Sequence, residues 1–235
     1  MSFKQFLKRT NIVSGLLFSN QVDQYNQEGY LLVSGLIPNS ISVKAEQEMW
    51  HCSGVDADKP ETWSNGTIVE NYFNDDIVAC YTDEFITVAA QLAGDDPATY
   101  SKPEEAHSLN VFPSTGDWSW PSPHIDHSIK KDGYKTFPRA FRIAAMTYLS
   151  DVEEHGGGTI VWPRSHHYIW ALAKSNPTCY EYMWVLGNDI HQVDLGTPME
   201  LTPNRGDVLF YHFLCAHSGS KNVNSQPRFA LNTKW

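Results

Sequence analysis

FRIAAMTYLSDVEEHGGGTIVW, residues 141–162, holds two runs of β-branched and aromatic residues separated by an acidic, glycine-rich turn. Ile, Val, Thr and Tyr fit a pleated, half-buried surface better than a helix, so 141–151 and 158–162 are predicted strands. The same character recurs in HSLNVF (107–112), DVLFYHF (207–213) and RFALNTKW (228–235). Alternate residues of a strand share a face. Ala144, Met146 and Tyr148 are therefore expected on one face, and Arg228, Ala230 and Asn232 on one face of the last strand. Several short strands punctuated by turns, with no regular βα alternation, predict a mainly β sandwich or barrel.

Upstream, the chain reads differently. VDQYNQEGYLLVSGLIP (22–38) joins a short helix to an extended run at Gly29–Val33. Ser40–Trp50 has helical character, with Ser40 or Ser42 as cap. Phe85, Val88, Ala89 and Leu92 recur at helical spacing within Asp83–Ala93, and Gly94-Asp95-Asp96-Pro97 ends that helix. Residues 52–67, including the Asn65-Gly66-Thr67 triplet, are expected to be turns, and 163–190 a loop with a short helix. No linker or internal repeat interrupts the chain. The expected organisation is a leader (1–21) followed by one domain (22–235), with helical support over about 22–106 and a β core over about 107–235.

Composition narrows the class. The chain has 235 residues, enough for one sizeable core, and eight Trp, eleven Tyr and eleven Phe suit an aromatic-rich β interior. A formal charge of −10 disfavours non-specific binding to nucleic acid or an anionic membrane. No run reaches the roughly 18 to 20 apolar residues that span a bilayer. The amino end lacks the apolar core of a secretory signal. Cys52, Cys80, Cys179 and Cys215 show no close pairing, so reduced thiols and a cytoplasmic enzyme are expected.

The chemistry starts at Pro123-His124-Ile125-Asp126. In an extended segment, residues two apart converge on one side, so the His124 imidazole and the Asp126 carboxylate can share a ligand. A third donor must come from elsewhere, and His217, beyond the DVLFYHF strand, is the attractive choice. Two imidazoles and one carboxylate leave three positions of an octahedron open, the arrangement suited to a ferrous oxygenase. On residue type alone His212 can replace His217, and His127 can replace His124. Arg228, on the last strand, is expensive to bury without an anion and offers a planar fork to a carboxylate. The Tyr148 phenol can donate to the same anion.

HIDHS, GGGTIVWPRSHH and RGDVLFYHFLCAHSGSKNVNSQPRFAL together resemble the phytanoyl-CoA dioxygenase family of iron- and 2-oxoglutarate-dependent oxygenases, over about residues 22–235. TYLSDVEEHGGGTIVWP and FALNTKW also resemble the prolyl 4-hydroxylase branch of that superfamily. The resemblance implies a double-stranded β-helix (jelly roll, cupin-like) with flanking amino-terminal helices. It implies Fe(II) at His124, Asp126 and His217, 2-oxoglutarate on Arg228 with Tyr148 and Met146 beside it, and O2 as cosubstrate. His155 stands where asparagine is frequent, and Gly219 where a serine can contact the cosubstrate. Asp126 fills the position that related halogenases leave to a small residue, so the implied reaction is hydroxylation of a C–H bond with release of succinate and CO2.

The implied substrate is a small molecule, with a peptidyl or prolyl hydroxylase as the nearest alternative. A non-catalytic jelly-roll binding protein, or a metal enzyme independent of 2-oxoglutarate, is the third reading. Trp118, Trp120 and Trp162 are candidate pocket walls. The basic segment 130–142, with Lys130, Lys131, Lys135, Arg139 and Arg142 against Asp132, is a candidate receiver of an anionic substrate. His166 and His167 are expected near the entrance, with no catalytic role.

Overall fold

Strands Tyr30–Val33 (β1), Gly66–Tyr72 (β2), Ala106–Phe112 (β3), Ala144–Tyr148 (β4), Val208–Tyr211 (β7) and Ala230–Lys234 (β9) form one antiparallel sheet. Its order is β1-β7-β4-β9-β3-β2. Thr159–Val161 (β5), Met199–Glu200 (β6) and His217–Gly219 (β8) form a second sheet, ordered β6-β5-β8. The two sheets make a double-stranded β-helix, the jelly roll expected from the strand pattern. This computed structural model describes residues 16–129 and 133–235. Lys130, Lys131 and Asp132 of the basic segment, and most of the leader, lie outside the described residues.

Period-two alternation sorts the central strands between two cores. Ala145, Val208, Phe210 and Leu231 face outward and pack with Tyr25, Met49, Phe85 and Leu92. Those four belong to helices Ser19–Glu28 (α1), Asn39–Ser53 (α2) and Asp83–Ala93 (α4). Ala144, Met146, Tyr148, Leu209, Tyr211 and Ala230 face the other way, toward Ile160, Val161, Ile125 and Leu186. Every residue of β4 and of β7 is buried, because helices close one face and the second sheet closes the other.

Local chemistry sets the helix ends. Thr82 Oγ1 accepts from the Phe85 amide at 3.1 Å, Asp83 and Glu84 occupy the first turn, and Gly94 at φ 71° terminates α4. Helix α4 matches its expected span, while α2 runs three residues beyond Trp50. The region 163–190 departs from expectation. It holds two helices, Ser165–Ser175 (α5) and Met183–Asp189 (α6), whose buried faces include Ile169, Met183 and Leu186. Strand β2 also replaces part of an expected turn region. It pairs with β3 from Gly66↔Phe112 to Tyr72↔Ala106, and its exposed Glu70 and Asn71 hide the strand signal. A further turn of helix, Asp75–Val78 (α3), follows it. No helix among the described residues is long and apolar enough to cross a membrane.

Candidate metal centre

His124 sits just outside the second sheet and is locked to His217, on β8, by a two-way backbone bridge. Each amide donates to the other's carbonyl at 3.0 Å. This bridge sets the imidazoles side by side, with ring centroids 4.5 Å apart. Asp126 follows two residues on and brings Oδ2 to 3.7 Å from His217 Nε2. One donor atom from each of the three lies within 4.8 Å of the others. The two alternative histidines stand elsewhere. His127, at φ 63°, stacks on Tyr134 with centroids 3.8 Å apart, and His212 is buried beside His166.

Hydrogen bonds orient the triad. The Cys215 carbonyl lies 2.9 Å from His217 Nδ1. Since a carbonyl only accepts, Nδ1 carries the proton and Nε2 presents its lone pair. The Tyr211 phenol donates to Asp126 Oδ2 at 3.1 Å, and the Asn232 amide donates to that phenol at 3.1 Å. Lys234 Nζ donates to Asn232 Oδ1 at 2.9 Å and stands 3.4 Å from Asp126 Oδ2. His124 keeps an exposed edge, but partial desolvation of its ring and the neighbouring His217 push it down to about 4, which favours the neutral imidazole at neutral pH. Burial alone would raise Asp126, but His217, Lys234 and His124 outweigh it and hold the carboxyl well below the ordinary range. A neutral imidazole and an ionised carboxylate are the forms that bind a metal.

The triad opens onto a cavity of about 340 Å³, whose walls include Met146, Thr159, Gly219, Thr67 and His107, with Arg228 at one end and Lys234 at the other. Arg228 is only 1% exposed. Its Nε donates to the Gly157 carbonyl at 2.9 Å and its Nη1 to the Leu109 carbonyl at 2.7 Å, while Nη2 is buried with no partner. Burial pulls its pKa below the usual guanidinium value. A buried cation with an unpartnered N–H aimed at a cavity fits the far carboxylate of a dicarboxylic cosubstrate.

The glycine run explains how the main chain reaches Arg228. Gly157 has φ 82°, and a Cβ there would meet Val111 at 3.0 Å and Asn222 at 3.2 Å. A Cβ on Gly158 would collide with the Leu201 carbonyl. Tyr148 is buried near Arg228, with its phenol 2.7 Å from Thr159 Oγ1. Gly219 lines the cavity with open space where a side chain would project.

Four expected pocket residues stand apart from this cavity. Trp162 joins the apolar core between the sheets. Trp118 stacks on His155 at 4.2 Å, and Trp120 borders a separate, open acidic cavity with Glu153, Glu154 and Glu200. Arg142 is bound to the Thr99 carbonyl and hydroxyl and lies over the Tyr100 ring. Arg139 pairs with Asp95 and Lys135 with Glu181. The described part of the basic segment is thus occupied by its own partners, away from the triad. His166 and His167 reach the carbonyls of Asn26 and Gln27 on α1.

The sequence reading missed Lys234, Tyr211, Asn232 as a site residue, and Thr159. Continuing the Arg228, Ala230, Asn232 parity by one step finds Lys234. No comparable signal marks the carbonyls of Gly157, Leu109 and Cys215, which depend on the path of the whole chain.

A jelly roll carrying two histidines and one aspartate at the mouth of an arginine-ended cavity defines the class of iron- and 2-oxoglutarate-dependent oxygenases. A model of the phytanoyl-CoA dioxygenase family matches residues 25–230, and the chain belongs to that family. It is an Fe(II)- and 2-oxoglutarate-dependent dioxygenase. No curated protein sequence matches it. Among solved structures it is similar to the epimerase SnoN from nogalamycin biosynthesis, in complex with Fe3+, alpha ketoglutarate and nogalamycin RO. That match has 17% identity over 92% of this chain and 81% of that one, with TM-score 0.57. EctD from S. alaskensis, with 2-oxoglutarate and 5-hydroxyectoine, matches at 17% identity over 97% and 78%, TM-score 0.61. EvdO2 from Micromonospora carbonacea var. aurantiaca, complexed with 2-oxoglutarate, matches at 14% over 94% and 91%, TM-score 0.58. At these identities the likeness is one of fold.

Proposed function

We propose that His124, Asp126 and His217 hold the ferrous ion, that Arg228 grips the distal carboxylate of 2-oxoglutarate, and that the enzyme hydroxylates a C–H bond of a small molecule. The observation that carries this reading is the shared cavity. Three donor atoms within 4.8 Å of one another open onto the same space as a buried guanidinium with a spare N–H. When bound, iron and 2-oxoglutarate supply the oxidation that consumes O2 and releases succinate and CO2. The protein's own residues orient and exclude. His217 is fixed in one tautomer by the Cys215 carbonyl, Asp126 is kept ionised and aimed by Tyr211, and the two buried sheets keep water from the inner end.

The cavity volume falls within the range of small-molecule pockets, which favours that substrate class over an extended peptide backbone. SnoN is described as an epimerase and EctD was seen with 5-hydroxyectoine, so one fold hosts different outcomes on small molecules. Hydroxylation is the outcome favoured here because Asp126 is retained as a carboxylate. We read residues 22–235 as one catalytic domain. The free thiols of Cys52, Cys80, Cys179 and Cys215 suit a reducing compartment such as the cytoplasm.

The test is metal and cosubstrate binding in His124→Ala and Asp126→Ala. Either replacement is expected to weaken ferrous binding by more than about 100-fold, beyond the loss typical of an outer-shell change, with the far-ultraviolet dichroism unchanged. Retained iron affinity in the double variant would remove the proposed ligand set.

A further inference from the structure

Lys234 ends the last strand with its ammonium 3.4 Å from Asp126 Oδ2 and its side chain 27% exposed. Among the described residues, Asp126 is the one carboxylate within ion-pair distance of it. Asp126 is also the proposed iron ligand, so its negative charge is shared between a dication and Lys234. In the proposed loaded site the charges of a ferrous ion, Asp126, a dicarboxylate and Arg228 cancel. The Lys234 ammonium then remains as one positive charge over, lining the cavity.

Position makes that charge useful. Arg228, Ala230, Asn232 and Lys234 share a strand face, and six residues of strand separate Arg228 from Lys234 by about 20 Å along the backbone. The triad lies at the Lys234 end, where Asp126 Oδ2 is 3.4 Å from the ammonium. The two cations therefore stand at opposite ends of the cavity, one deep and one partly open. His107, opposite Asn232 in the sheet, flanks the Lys234 end, while Thr67, opposite Val111, lies toward Arg228. His107 Nδ1 donates to Asn71 Oδ1 at 2.6 Å, and burial first and Lys234 next lower its pKa, which favours the neutral ring. It adds no competing cation. The loop arginines and Lys135 are held by Asp95, Thr99 and Glu181.

We propose that Lys234 is a substrate-anchoring residue, which binds a singly charged oxyanion, in the simplest case a carboxylate, of the small molecule to be oxidised. The inference rests on the proposed iron and 2-oxoglutarate sites and names the class of molecule admitted beside them. An anionic substrate would complete the charge balance, and Lys234 would place its acidic group beside the iron ligand Asp126.

The test uses acetate as the probe and acetamide as its neutral counterpart. Each is titrated anaerobically into the full-length protein saturated with Fe(II) and 2-oxoglutarate, and read by the visible charge-transfer band and by the melting temperature. Acetate is expected to perturb both and acetamide neither. In Lys234→Met the acetate affinity should fall by roughly tenfold or more, the weight of one charge-assisted hydrogen bond, while iron and 2-oxoglutarate affinities hold. Lys234→Arg should keep the acetate response, and Lys234→Gln replaces the Met variant if that fails to fold. Equal behaviour of the two probes, no acetate response in the wild type, or an acetate response that survives in Lys234→Met would overturn the proposal. So would loss of iron affinity in Lys234→Met, which would make Lys234 a positioning residue for Asp126. Failure of the wild type to bind iron or 2-oxoglutarate would instead strike the underlying site.

Discussion

Arg228 offers a quantitative test of the cosubstrate site. Its guanidinium has five N–H groups, and Gly157 and Leu109 take one each. Two of the others are on Nη2, which has no partner. A distal carboxylate would receive one or two charge-assisted hydrogen bonds there. Removing one side of a buried pair of this kind costs about 2–4 kcal/mol, which raises Kd roughly 30- to 900-fold. Arg228→Met and Arg228→Gln should show that loss in anaerobic calorimetry with metal present, with iron affinity intact. A thermal assay gives an independent reading. At 2-oxoglutarate one hundred times the wild-type Kd, binding stabilises the fold by about 2.7 kcal/mol. If Kd rises about 100-fold, the same concentration gives only about 0.4 kcal/mol. For a chain of this size the ligand-induced shift should shrink from roughly 5–11 °C to about 1–2 °C. The comparison of shifts, rather than of melting temperatures, removes the effect of leaving two carbonyls unpartnered in the free variant. Binding within about threefold of wild type, a difference near 0.7 kcal/mol, would refute the assignment.

Gly157→Ala should destabilise the fold by about 1–3 kcal/mol, because alanine at positive φ is strained and its Cβ presses on Val111. Denaturant unfolding measures the loss, and an unchanged midpoint would contradict the need for glycine there. Stability should also decline in mild acid through His166, which burial first and His167 next push down to about 3. An unfolded histidine takes its proton near pH 6.5, so between about 6.5 and 3 the unfolded chain binds more protons and stability falls as pH drops. By about pH 4.5 the His166 contribution is on the order of 2–3 kcal/mol. His166→Gln should flatten that dependence in unfolding curves at neutral and acid pH, and an identical slope would exclude His166 as its source.

How much of this was readable in the chain depends on how local each cause is. Helix α4 carries its own instructions: Thr82 as cap, acids in the first turn, an apolar stripe and Gly94 as stop. Strands β4, β7 and β9 announce themselves through β-branched and aromatic runs, and their parity correctly sorts Met146 from Ala145 and Ala230 from Leu231 between the two cores. Strand β2 is held mainly by pairing with β3, and nothing in GTIVENY separates it clearly from a polar loop. Strands β6 and β8 have two and three residues, too few for a period to show. Helix α5 was obscured by His, Tyr and Trp, which are middling helix formers rescued by burial of Ile169 and His166. Within the site, His124 and Asp126 are close in sequence, so their convergence is local. Trp118, Trp120 and Trp162 are not among the residues that line the cavity, because Trp162 packs into the core between the sheets and Trp118 stacks on His155, contacts that nearness in sequence to the triad does not show.

The site's position between the sheets has a mechanical consequence. Tyr211, Asn232 and Lys234 project from β7 and β9, whose opposite faces are packed by Phe210 and Leu231 against the helices. Together with Asp126 they close a ring of contacts at 2.9–3.4 Å. A carboxylate tied to two buried strands cannot swing freely when a metal or cosubstrate arrives, whereas one on a loop alone would lose side-chain and backbone freedom on binding. His124 and Asp126 do come from a loop, and the backbone bridge to β8 together with the Tyr211 hydrogen bond transfers the rigidity of both sheets to that loop. The ligands are thus drawn from a flexible class of segment but fixed by the least mobile part of the fold.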